Sequence, residues 1–346
     1  MGHRANYVLV EKGESTIFYT PGGATVVPEV LLAGFARTRR YVQQLTPHTE
    51  LMSEVWAEGG ALIDDDQHRL LFWGGENIQY EPYLRRALLP ALRFLWPGWT
   101  VEWAVHGIAD FADYLHIDRS TVLKSEEFQE GFRPDNVLSD DDLSSWERDG
   151  FATIITIKRS DGLVFDYAFS SIPGAILSVG PRLLDFLLAK GKPVVLPHER
   201  ELLEAEEGAY FDLPAHAMSV WNQSTIDPRY IEALQALWTG WQVNGHVDGI
   251  VRQVALSGRD VTSLMIPLDE AVADLVKELT AFDAVPNVFV AVMTSDVTDD
   301  ADRIEIASGV VATRDELNSV PKVRQIFGEL FRSALGDAGA TSVPRS

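Results

Sequence analysis

Two short stretches of this sequence gather residue types that can move protons or hold a cation. In the first, Asp64, Asp65 and Asp66 are followed by His68; in the second, Asp212 is followed by His216. An acid and an imidazole on either side of a turn can share a hydrogen bond, which is the geometry of a general-base pair. The triple Asp with His68 could also hold a divalent cation through carboxylates and a ring nitrogen. The second stretch carries Leu213-Pro214-Ala215 between its acid and its imidazole, so any metal is expected at Asp64, Asp65, Asp66 and His68 alone. With Glu76 nearby in sequence, the catalytic candidates are Asp64, His68 and Glu76. The competing reading is turn chemistry, in which the Asp accepts backbone N–H groups and the His fills the rim of a sheet.

Binding chemistry is sought where otherwise similar stretches differ. Trp73 is followed by Gly74-Gly75-Glu76-Asn77, whereas Trp221 is followed by Asn222-Gln223-Ser224. A Gly-Gly loop between a strand and a helix can bring backbone N–H groups close to a ligand. His106 precedes Gly107 where Asp248 precedes Gly249. The binding candidates are therefore Gly74, Gly75, Glu76, Asn77 and His106. His198-Glu199 has no second His at helical spacing and makes no zinc motif. There is no Gly-x-Ser-x-Gly, no Walker loop, no Gly-x-Gly-x-x-Gly and no kinase set. With no Cys, disulfides, thiolate metal sites and cysteine nucleophiles are excluded. No cofactor is expected; a divalent metal is the one these residues could hold.

The elements that must position these residues come in two similar sets. Gly60-Ala61-Leu62-Ile63-Asp64, His68 and Trp73 align without gaps on Gly208-Ala209-Tyr210-Phe211-Asp212, His216 and Trp221. Leu95-Trp96-Pro97-Gly98-Trp99 aligns likewise on Leu237-Trp238-Thr239-Gly240-Trp241. The six tryptophans Trp73, Trp96, Trp99, Trp221, Trp238 and Trp241 stand at matched places and read as core. Each set reads as a hairpin (Tyr7–Tyr19; Ile154–Tyr167), a helix, two strands around the Asp/His turn, a helix opened by Glu81-Pro82 or Asp227-Pro228, a strand and a short helix. The expected fold is α+β: two tandem homologous modules, each an antiparallel or mixed sheet covered on one side by helices, plus a C-terminal strand-strand-helix element. That element opens with Val288–Val292 as a strand and is either a truncated third copy or a cover for the second sheet. The expected boundaries are residues 1–124 for the first module, 125–150 for an acidic linker, 151–280 for the second module, 281–336 for the C-terminal element and 337–346 for a frayed tail.

Lys and Arg number 29 against 51 Asp and Glu, a net charge of −22 that repels phosphate backbones and anionic membranes. No run of apolar residues is long enough to span a membrane and the opening residues lack a signal-peptide core, so a cytoplasmic, bacterial-type protein is expected. A basic protein is the partner such a charge favours; nucleic acid and membrane are not. The leading expectation is a noncatalytic acidic binding protein of immunity or antitoxin type. The alternative is a metal-dependent hydrolase or transferase working at the Asp/His turn of the first module.

Overall fold

The computed structural model describes residues 3–124, 132, 153–169, 173–189, 193, 205–280, 284–293, 304–307, 310–313, 317, 319–337 and 342–344. His198, Glu199, most of the linker 125–150 and most of the tail 337–346 lie outside the described residues. The chain divides into two compact units, 1–124 with 266–343, and 125–265 with 344–346.

The first unit is built on a six-stranded mixed sheet. Its strands are β1 (Arg4–Glu11), β2 (Glu14–Thr20), β3 (Thr46–His48), β4 (Ala57–Asp64), β5 (Arg69–Trp73) and β6 (Thr100–Trp103), in the order β3-β2-β1-β4-β5-β6. The β1–β2 and β4–β5 pairs are antiparallel and close through short turns, whereas β1–β4 and β5–β6 run parallel. Parallel neighbours need a crossover, and helices supply it: α1 (Val27–Leu31) and α2 (Phe35–Gln43) before β4, and α3 (Pro82–Leu95) before β6. Alternation along each strand separates two cores. Tyr7, Leu9, Ile63, Leu70 and Phe72 meet α1 and α3, where Leu84, Leu88 and Leu92 repeat at one-turn spacing. Val8, Leu62, Leu71 and Trp73 point the other way and meet Ile108, Phe111 and Ala112 of α4 (Ile108–Tyr114).

The second unit has a five-stranded mixed sheet of β7 (Thr153–Lys158), β8 (Val164–Phe169), β9 (Glu207–Asp212), β10 (Ala217–Asn222) and β11 (Gln242–His246), in the order β8-β7-β9-β10-β11. Neighbours and strand directions are those of β2-β1-β4-β5-β6. Helices α5 (Pro173–Leu177), α6 (Arg182–Ala189) and α7 (Pro228–Leu237) cover one face, and α8 (Gly249–Leu256) covers the other. Asp227 caps α7 by accepting from the Arg229 N–H at 2.8 Å, as the Asp-Pro opening requires. The matched tryptophans do matched work: Trp96 Nε1 donates to Leu31 O at 2.8 Å and Trp238 Nε1 to Leu177 O at 3.0 Å. The protein is thus α+β with two mixed-sheet modules. Helices lie on both faces of each sheet rather than on one, because the short helix after β6 or β11 folds back over the face opposite the long helix.

Residues 266–343 belong to the first unit. Here α9 (Leu268–Glu278) packs on α3, α10 (Ala284–Met293) on α1 and α2, and α11 (Val320–Asp337) on α3 and α9, beside the hairpin β12 (Ile304–Ala307) and β13 (Val310–Ala312). Residues 266–280, read from sequence with the second module, therefore fold with the first. The run Val288–Val292 is helical and not a strand: Phe289, Val292 and Met293 are buried at helical spacing. A short apolar run carries no period of its own, so only its packing decides between the two.

Candidate functional site

The Asp/His turn is occupied by its own architecture. Asp64 Oδ1 accepts from the Gln67 N–H at 2.8 Å, and Oδ2 accepts from the Tyr114 hydroxyl at 2.6 Å. Asp66 accepts from the Lys12 and Gly13 N–H groups at 2.8 and 2.7 Å, which closes the β1–β2 turn and holds its pKa below the usual carboxylate range. The Asp65 N–H donates to Val10 O at 2.9 Å. His68 adopts φ +50° and meets the Trp99 ring edge-on at 5.3 Å, and no hydrogen bond joins it to Asp64. His216, also at φ +50°, stacks on Trp241 at 5.5 Å. Among the described residues, no three of His, Asp and Glu gather in a way that could hold a metal ion. The catalytic pair and the metal set read from spacing are not brought together, because Asp64 is claimed by the Gln67 N–H and the Tyr114 hydroxyl, Asp66 by the N–H groups of the β1–β2 turn, and His68 turns to Trp99.

The Gly-Gly loop is likewise a packing feature. Gly74 and Gly75 have φ +113° and +87°, a region other residues rarely adopt, and a Cβ on Gly75 would lie 2.6 Å from Pro28 Cγ. The Gly75 N–H donates to Ala24 O at 2.7 Å, and the Asn77 side chain donates to Glu278 Oε1 at 2.9 Å. The loop thereby ties α9 to the first sheet. Glu76 opens the 3₁₀ turn Asn77–Gln79 beside it.

His106 is placed differently. With Arg69, Leu71, Glu102, Trp103, Val105, Asp110, Asp113 and Tyr114 it lines an open groove of about 480 Å³ on the α4 face of the first sheet. Parallel pairing sets Arg69 opposite Thr100 and Leu71 opposite Glu102, which forms one wall from β5 and β6. Asp110, Asp113 and Tyr114 recur at i, i+3 and i+4 on α4 and form the other. The Arg69 guanidinium pairs with Glu102 at 2.8 Å and lies over the Tyr114 ring, 5.2 Å from its centre. Arg119 holds Asp113 by two bonds of 2.6 Å. Asp110 accepts from the His106 N–H at 2.8 Å; burial pushes its pKa upward, against the opposing effects of that bond and of the His106 ring. Tyr114 is pushed up to about 12, by burial first and then by its bond to Asp64.

No family model, curated protein or solved structure matches this chain. Comparison between its own two units is therefore the informative one. Register and sequence place Ala217, Ser219, Asn244, Asp248, Arg252 and Ala255 where the first unit has Arg69, Leu71, Glu102, His106, Asp110 and Asp113. The acids Glu102, Asp110 and Asp113 thus have no acidic counterpart at the aligned positions of the second unit. Of the residues singled out from sequence, His106 lines it and Asp64 touches it through Tyr114; Gly74, Gly75, Glu76, Asn77 and His68 do not. Arg69, Glu102, Asp110, Asp113 and Tyr114 were missed. Their available signal was the i, i+3, i+4 recurrence on α4 together with the charge change from Asp110 to Arg252. The groove is lined by three carboxylates, Glu102 paired with Arg69 and Asp113 with Arg119, together with Trp103, Tyr114, Leu71 and Val105. Such a lining suits a cationic group with apolar carbon behind it.

Proposed function

We propose that the protein is a noncatalytic binding protein for a basic macromolecule, and that its contact centre is the acidic groove between β5, β6 and α4 of the first unit. The observation that carries this reading is the lining itself: Glu102, Asp110 and Asp113 line one open groove, and the aligned positions of the second unit hold Asn244, Arg252 and Ala255. The net charge of −22 acts in the same direction, since a long-range negative field steers a basic partner and raises its association rate. A protein that neutralises a basic toxin or nuclease domain needs no more than such a face, and an immunity or antitoxin role is the form of the reading we favour. Nucleic acid and anionic membrane are disfavoured as partners by the same field.

The test is affinity capture of the tagged full chain from native lysate at about 50 and about 300 mM salt, which spans strong and weak screening. It is run beside the variant E102Q/D110N/D113N, with retained species identified by mass spectrometry. A basic protein retained in stoichiometric amount at low salt, released at high salt and lost by the variant is the expected result. Retention that the variant does not change would overturn the assignment of the groove. Retention of no basic protein would overturn the reading as a whole.

A further inference from the structure

Among the described residues β11 is the last strand of its sheet, with β10 on one side and no strand on the other. In a parallel ladder alternate residues bond the neighbouring strand. The Gln242 N–H donates to His216 O on the β10 side at 2.8 Å, and the same alternation turns the Val243 and Gly245 N–H groups away from β10. Gln235, an exposed residue of α7, reaches this free side. Its Nε2 donates to Trp241 O at 2.6 Å, and its Oε1 accepts from the Val243 N–H at 3.0 Å. Those are the two bonds that a residue of a further parallel strand would make opposite Gln242. We propose that Gln235 is an edge guard: its carboxamide covers the backbone groups through which β11 would pair with β11 of a second copy of this chain.

The first module repeats the device with different chemistry. Arg93 stands at the position of Gln235, each two residues before the end of its helix, and Val101 at that of Val243. Arg93 Nη2 donates to Val101 O at 3.5 Å on β6, the edge strand of its own sheet. Both modules therefore lay a long polar side chain from one helix position on the same edge. The first sheet has other protection as well, since Pro47 at the centre of β3 offers no N–H and β6 carries Glu102. Strand β11, Gln242-Val243-Asn244-Gly245-His246, holds no proline, lysine or acid, so Gln235 is its guard. A second copy is the occupant this edge fits. Two β11 strands can pair antiparallel about a twofold axis at Val243, each Val243 giving its N–H to the carbonyl of the other. That pairing needs the N–H that Gln235 holds.

The experiment is sedimentation velocity of the full chain over a concentration series, with amide hydrogen exchange at Val243 and Gly245 read at each concentration. Wild type is compared with Gln235→Ala and Gln235→Arg. We expect Q235A to self-associate about tenfold more tightly than wild type, the scale of one freed hydrogen bond. Both amides of Q235A should exchange more slowly as concentration rises, and Q235R should match wild type, as Arg93 serves the first module. Association of Q235A no tighter than that of wild type overturns the proposal. Tighter association without slower exchange at Val243 and Gly245 places the contact elsewhere and overturns it too. A lowered urea midpoint with unchanged association would make Gln235 a local tie between α7 and β11 and would equally overturn the guard. Should Q235A fail to fold, Gln235→Met decides by the same readouts, because it keeps the length and helix preference of glutamine without the amide.

Discussion

Replacing Glu29 by Gln should make the first unit more stable above neutral pH and remove a pH dependence that wild type carries. Glu29 lies on α1 with 2% of its surface exposed, and among the described residues its Oε2 has no hydrogen-bond partner, as is true of the Tyr7 hydroxyl on β1. Burial raises its pKa from 4.5 to about 8, with its own backbone N–H opposing the rise and the Glu278 carboxylate adding to it. The folded state therefore holds this proton more tightly than the unfolded chain does. Stability from Glu29 is complete below pH 4.5, falls as pH rises, and has been lost by pH 8. The gap of 3.5 between the two values corresponds to a ceiling of about 5 kcal/mol at about 1.4 kcal/mol per pH unit, and relaxation around the carboxylate brings the expected loss to about 2–5 kcal/mol. Gln keeps the shape and a donor but never ionises. Carboxylates that respond in the opposite sense, such as Asp66 and Asp212, cancel in the difference between variant and wild type. The assay is urea unfolding at four pH values from 5 to 9, with hydrogen exchange of the β1 amides reporting the first unit. E29Q should gain on wild type steadily up to pH 8 and hold its gain above that. Parallel curves across the whole range would show that the carboxylate is not buried as described.

Further expectations concern the two modules and the Gly74-Gly75 loop of the first. Trp96→Phe and Trp238→Phe each remove one of two donors to a carbonyl, leaving Gly34 N–H on Leu31 O and Gly180 N–H on Leu177 O, and the lost hydrogen bond should cost about 0.5–1.5 kcal/mol apiece in urea denaturation. Arg259→Met leaves Asp166, itself 5% exposed, without its guanidinium and should destabilise the second unit by about 2–4 kcal/mol, with Thr156 as the remaining donor to that carboxylate. Gly75→Ala forces a Cβ into Pro28 at a φ of +87° and should destabilise the first unit by about 1–3 kcal/mol in urea denaturation, yet leave retention of a basic partner unchanged in the folded protein.

Legibility in the sequence followed how local each determinant is. The helix after Asp227-Pro228, the hairpins and the matched Trp blocks were readable because caps, alternation and anchors act within a few residues. The turn carboxylates were visible as residue types, but their partners were not: Tyr114 reaches Asp64 across 50 positions, and Lys12 and Gly13 reach Asp66 across more than that. The groove escaped for the same reason, since β5 and β6 contribute Arg69 and Glu102 from strands a long helix apart. The run Val288–Val292 reads as a strand but lies in the helix Ala284–Met293, because an apolar run of that length is set by whatever covers it. Placement of the segment after Ile266 on the first unit depends on contacts with α1, α2 and α3 that no local pattern announces.

The central claim, that a basic partner engages the first unit's acidic groove, is tested most directly by following the indole N–H signals of the nine tryptophans by NMR during titration with hexa-arginine. Trp103 lines the groove and its signal, assigned through Trp103→Phe, should move progressively and return on addition of about 300 mM salt. The signals of Trp221, Trp238 and Trp241 in the second unit should stay in place. Movement of those three with Trp103 unchanged, or no movement of any indole, would contradict the account.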